Sequence, residues 1–78
     1  MGWQRVSPPF PFAVPSWVQW LAQDSSGIWW GYSVEPLRHD GGWYENEVGE
    51  YIELGATDAA GWETSLKKRS IGGWTAGP

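Results

Sequence analysis

Apolar and polar positions alternate most regularly on either side of Asp24-Ser25-Ser26-Gly27. Residues 17–23 and 28–35 are aromatic and β-branched runs, the side chains that suit a pleated, half-buried strand. Aspartate first and glycine fourth fit a type I turn closed by a left-handed glycine bulge, so the segment predicts a β-hairpin. Its register follows from the pattern, because a slip of one residue sends every side chain to the other face. With Asp24 and Ile28 flanking the loop, Ala22 pairs with Trp30, Trp20 with Tyr32 and Val18 with Val34. That register gathers Val18, Trp20, Ala22, Ile28, Trp30, Tyr32 and Val34 on one apolar face. A longer loop pairing Gln23 with Ile28 mixes polar and apolar residues on both faces.

The opposite face then carries Trp17, Gln19, Leu21, Gln23, Trp29, Gly31, Ser33 and Glu35. Trp29 stands beside Gly31, which predicts a shallow gap next to a large indole. Pro36 has no N–H to give a ladder and ends the strand, and residues 37–42 read as a loop. A second hairpin is predicted from residues 43–45 and 50–54 around the turn residues Asn46 and Gly49. Beyond Gly55, Thr57 or Asp58 can cap a short helix. Trp62 and Leu66, four apart, share one face of it, and Lys67-Lys68-Arg69 lies at its C-terminal end. Residues 1–16 read as an extended proline-rich arm, residues 17–69 as one domain and residues 70–78 as a flexible glycine-rich tail. The expected fold is mainly β, a small α+β domain with an antiparallel sheet of about four strands in two hairpins.

A chain of 78 residues makes one small domain with a marginal core. With no cysteine and one histidine, disulfides and the usual zinc sites are excluded as reinforcement. Eight tryptophans supply an aromatic core instead, and a homo-oligomer is expected to complete it. The net charge of −4 argues against duplex nucleic acid as a partner, because phosphate binding needs a basic face. No apolar run is long enough for a signal peptide or a membrane span, so no membrane partner and a cytoplasmic location are expected.

The chain carries no glycine-rich phosphate loop and no nucleophile elbow. His39-Asp40 reads as a solvated loop pair, and Glu45, Glu47, Glu50 and Glu53 as an acidic rim rather than a calcium loop. No catalytic residue, metal or cofactor is expected. Aromatic surface is the resource in excess. Trp20 and Trp30 belong to the apolar face and Trp62 to the predicted helix. Trp17, Trp29 and Trp43 are left for the proline arm, a second subunit or a ligand to cover.

From Trp17 to Arg69 the chain resembles small accessory proteins encoded by tailed phages. The resemblance is carried by Asp24-Ser25-Ser26-Gly27-Ile28-Trp29-Trp30-Gly31-Tyr32 leading to Pro36, by Gly42-Trp43-Tyr44, and by Trp62-Glu63-Thr64-Ser65-Leu66 before basic residues. It implies a gene expressed in an infected bacterial cytoplasm, often to counter host immunity, and brings no site residues with it. The leading expectation is a non-catalytic sponge for a nucleotide immune messenger. Its base would stack on Trp17, Trp29 or Trp43, and its phosphates would meet Arg38, His39 or the Lys67, Lys68 and Arg69 cluster. The alternative is a protein–protein inhibitor of a host defence effector such as a CRISPR, restriction or signalling enzyme, its surface the aromatic face with the acidic rim of Glu45, Glu47, Glu50 and Glu53. A third is a structural or carbohydrate-binding phage component.

Overall fold

Asp24 organises the first turn. In the computed structural model, which describes residues 10–45 and 48–77, its Oδ1 accepts from the Ser26 N–H (2.9 Å), the Ser26 hydroxyl (2.6 Å) and the Ile28 N–H (3.2 Å). Gly27 takes the left-handed conformation, at φ 96°, that an L side chain resists. The turn joins β1 (Trp20–Gln23) to β2 (Ile28–Tyr32) with Trp20 opposite Tyr32 and Ala22 opposite Trp30, the register expected from side-chain alternation.

The remaining strands are β3 (Pro36–His39), β4 (Gly42–Glu45), β5 (Tyr51–Ala56), β6 (Lys67–Ser70) and β7 (Gly73–Ala76). They build a five-stranded antiparallel sheet in the order β5-β2-β1-β6-β7 and a separate two-stranded hairpin, β3-β4. Opposite β2, Trp29 pairs with Gly55 and Trp30 with Glu53, so Leu54 is the extra residue of a bulge.

Two apolar clusters sandwich the sheet. On one face Ala22, Tyr32 and Leu66 are buried, with Trp20, Trp30 and Trp43 packed against them. On the other, Val18 and Leu21 are fully buried. A Cβ on Gly31 would lie 2.9 Å from both γ-methyls of Val18 and 3.4 Å from Ile52 Cγ2. A Cβ on Gly55 would run into the Phe12 ring. The two glycines are thus the floor on which Val18 and the end of the proline arm sit. Phe10 continues the cover, packing edge-on to Phe12 at 5.5 Å and to Trp29 at 5.2 Å.

These contacts correct several expectations. The gap beside Trp29 is filled, and Val18 has left the apolar face assigned to it, because the chain turns at residues 16–17 before β1 begins. Residues 43–45 and 50–54 do not pair with each other. Strand β4 pairs with β3 across Asp40-Gly41, with His39 opposite Gly42, while β5 crosses to β2, where Ile52 meets Gly31. The sheet therefore has more strands than expected. The C-terminal helix is replaced by one 3-10 turn, Trp62–Thr64. Its basic end is strand β6, paired with β1, and the glycine-rich segment after it contributes β7. The competing demand is β1's free edge, whose N–H and C=O groups β6 satisfies. Residues 1–9, the start of the arm, and the turn residue Asn46 lie outside the described residues.

Buried polar groups fasten the connections. Gln23 is 2% exposed, and its amide donates to the carbonyls of Gly27 (3.1 Å) and Asp58 (2.9 Å), pinning the segment after β5. Its backbone N–H donates to the Ser65 hydroxyl at 2.8 Å, which in turn donates to Trp62 O at 2.7 Å.

Candidate functional site

The β3-β4 hairpin is anchored to the large sheet at two points. The Ser25 N–H donates to Gly41 O at 3.0 Å, and the Trp43 indole N–H donates to Gln23 O at 2.8 Å. Residues two apart on a strand share a face, so Trp43 and Glu45 point the same way, and Pro36, which pairs with Glu45, is buried. Between this hairpin and the β2-β5 part of the sheet lies a cleft of about 500 Å³.

Its aromatic wall is Trp30, Tyr32, Trp43 and Tyr51, and its carboxylates are Asp24, Asp40 and Glu45. His39 and Tyr44, edge to face at 4.9 Å, join the lining with Gly41 and Gly42. Trp30 meets Tyr51 edge to face at 5.9 Å. The Trp30 indole N–H donates to Asp24 Oδ2 at 3.0 Å, so both cleft indoles spend their only donor inside the protein and keep their rings fixed. Among the described residues, no lysine or arginine lines the cleft.

The electrostatics follow from that inventory. Burial works against ionisation of Asp24, but the Ser26 hydroxyl, the Trp30 indole and the backbone N–H groups of Ile28 and Ser26 outweigh it and hold the carboxyl below its usual range. Burial pushes the Tyr32 phenol above the ordinary phenol range, and the charges of Glu45 and Asp24 and the neighbouring Tyr51 push it further. Tyr32 therefore stays a neutral phenol in an electronegative surrounding. Glu45 Oε1 is shut off from solvent and has no hydrogen-bond partner among the described residues. A shielded acceptor oxygen without a donor is costly, and native structures rarely leave one unpaired.

The residues expected to bind nucleotide do not converge. Trp43 and His39 line the cleft. Arg38 is the cross-strand partner of Trp43, yet it is exposed and is not part of the lining. Trp29 lies on the opposite face of the sheet, with Phe10 against it, its indole N–H donating to Thr57 Oγ1 at 2.9 Å and the Lys67 ammonium 6.0 Å from its ring. Lys68 points the other way, 5.6 Å from the Trp20 ring. Arg69 is structural: its Nε donates to Val18 O (2.7 Å), its Nη2 to Pro15 O (3.2 Å), and its guanidinium lies 4.5 Å from the Trp74 ring. Trp17, 39% exposed, sits in the turn before β1.

Sequence reasoning missed Asp24, Trp30, Tyr32, Asp40, Tyr44 and Tyr51 as site residues, and had Glu45 only as part of an acidic rim. One signal was present. Asp40-Gly41 between two short strand-like runs is a hairpin dipeptide, with Gly41 at φ 74°, and recognising it sets Trp43 and Glu45 over the first hairpin. Among the described residues no group of three or more His, Cys, Asp or Glu is placed to hold a metal ion, and no helix is long and apolar enough to cross a membrane. Comparison with known proteins gives no match, whether to a family model, a curated protein or a solved structure.

Proposed function

We propose that this is a non-catalytic binding protein whose recognition site is the cleft between the β3-β4 hairpin and the large sheet, and that it takes a positively charged group of a partner protein. The observation that carries this reading is the lining itself: aromatic rings, two of them pinned indoles, interleaved with Asp24, Asp40 and Glu45, and no lysine or arginine among the described residues. A ring face attracts a cation within about 6 Å of its centroid, and carboxylates gathered in a cleft raise that attraction. The volume falls within the range of roughly 300–1,000 Å³ typical of ligand sites. In the phage setting that the sequence resemblance implies, the partner is a bacterial defence effector blocked by direct contact in the infected cytoplasm.

One observation favours a second reading, nucleotide sequestration. Lys67 beside Trp29 and Lys68 beside Trp20 put a cation next to an indole on each face of the sheet. Neither pair lines the cleft, and phosphates entering the cleft would meet carboxylates.

A single panel separates the two. The protein is mixed with arginine-rich and lysine-rich peptides, and separately with cyclic di- and trinucleotides and ADP-ribose derivatives, while melting temperature and tryptophan fluorescence are followed. A ligand present at 100 times its Kd stabilises by about 2.7 kcal/mol, a rise on the order of 10 °C for a domain of this size. A rise with basic peptides that Trp43→Ala abolishes supports the cleft. A rise with a nucleotide and none with the peptides supports sequestration and overturns the first reading.

A further inference from the structure

The cleft holds an acceptor in want of a donor, and this narrows the cation it fits. Asp24 is already occupied: its Oδ1 accepts from Ser26 and Ile28 and its Oδ2 from Trp30. The Trp30 and Trp43 donors are consumed as well, so these rings offer only their π surfaces. Glu45 Oε1 alone lies shielded from solvent with no partner among the described residues, while Glu45 itself lines the cleft. The last torsion of a glutamate is soft, so the carboxylate can turn toward an occupant.

A quaternary ammonium satisfies aromatic walls but has no N–H for that oxygen. A lysine ammonium has donors, yet it is a compact, strongly hydrated charge that gives up water reluctantly. A guanidinium is planar, weakly hydrated, and carries its donors in the plane of the group. It can stack face-on against one indole while donating edge-on to a carboxylate beside that ring. Trp43 and Glu45, two residues apart on one face of β4, offer that pairing of ring and acceptor.

We infer that the cleft recognises an arginine side chain of the partner protein, its guanidinium stacked on Trp43 and hydrogen-bonded to Glu45. This rests on the cleft being the recognition site, and it goes further by naming the group that enters.

The test uses the full chain and four probes: acetylated, amidated Gly-Arg-Gly, the matching Gly-Lys-Gly, free arginine, and tetramethylammonium chloride. Binding is read by tryptophan fluorescence and melting temperature for the native protein and for Glu45→Gln. The arginine peptide is expected to bind at least ten-fold more tightly than the lysine peptide or tetramethylammonium. It is also expected to bind more tightly than free arginine, whose own carboxylate is repelled. Glu45→Gln should lose most of that preference, weaken tetramethylammonium far less than the arginine peptide because only the general charge attraction is lost there, and melt no lower than the native protein without ligand, since it removes a carboxylate with an unpaired oxygen. Equal binding of the lysine peptide or tetramethylammonium, or an arginine preference that survives Glu45→Gln, overturns the guanidinium assignment while leaving a cation site. Binding of none of the four overturns the cleft reading with it. A Glu45→Gln variant that melts well below the native protein would show Glu45 to be structural; Asp40→Asn, in an exposed turn, then serves as the second variant, and an unchanged arginine affinity in it refutes an electrostatic role for the cleft's carboxylates.

Discussion

The contact between Val18 and Gly31 decides whether the face beyond Trp29 is closed packing or an open notch, and a double-mutant cycle measures it. In Gly31→Ala the new Cβ would stand 2.9 Å from both Val18 γ-methyls, closer than carbon atoms pack. Overpacking of this kind costs about 1–3 kcal/mol, offset by roughly 0.5–1 kcal/mol from the lower chain entropy of alanine. The net expectation is a destabilisation of about 1 kcal/mol. Val18 is fully buried, and Val18→Ala removes two methyl groups worth about 0.8 kcal/mol each. With part of the cavity left behind, the loss comes to about 2 kcal/mol. In the double variant the alanine methyl at position 31 occupies the space that Val18 has vacated. The clash disappears, the entropy gain stays, and the total should be no worse than Val18→Ala alone. Urea denaturation followed by tryptophan fluorescence gives all three values. A coupling of about 1 kcal/mol or more in the compensating direction is expected, against the 0.3–0.5 kcal/mol that independent sites show. Strict additivity, or a neutral Gly31→Ala, would mean that Val18 does not cover Gly31 and that the notch is open.

Three further outcomes follow from named contacts. Gly55→Ala drives a methyl into the Phe12 ring and should lift the arm, speeding amide exchange along β5 and raising protease sensitivity near Phe10; Phe12→Ala should reproduce both effects. The lowered Asp24 carboxyl means its contribution is complete above the unfolded value of 3.8 and is lost as pH falls through the lower folded value. An acid titration of stability should accordingly be flatter for Asp24→Asn, which also costs about 1–2 kcal/mol at neutral pH through lost turn hydrogen bonds. The raised Tyr32 phenol works in reverse: stability is intact below the unfolded value of 10.0 and declines as pH rises above it, a decline that Tyr32→Phe should remove.

What the sequence determined by itself was local. Asp24 through Gly27 chose the first turn, and alternation across it chose the register of β1 and β2, because a slip would have exposed the apolar set. The predominance of strands and the membership of Trp20, Trp30 and Tyr32 in one packed face were readable for the same reason. What lies far apart along the chain was decided only by tertiary structure. Lys67-Lys68-Arg69 reads as the end of a helix until β1's open edge takes it as a strand, with Trp20 under Lys68 and the Pro15 and Val18 carbonyls capping Arg69. Tyr51, Ile52 and Gly55 read as half of a hairpin until β2 pairs with them and Val18 and Phe12 fill the glycine floor. The candidate site belongs to this second kind. Asp24, Trp30, Trp43, Glu45 and Tyr51 come from four separate segments, and no local pattern encodes their meeting. Burial and hydrogen bonding between elements bring them together, and these act on distance in space rather than on spacing in sequence.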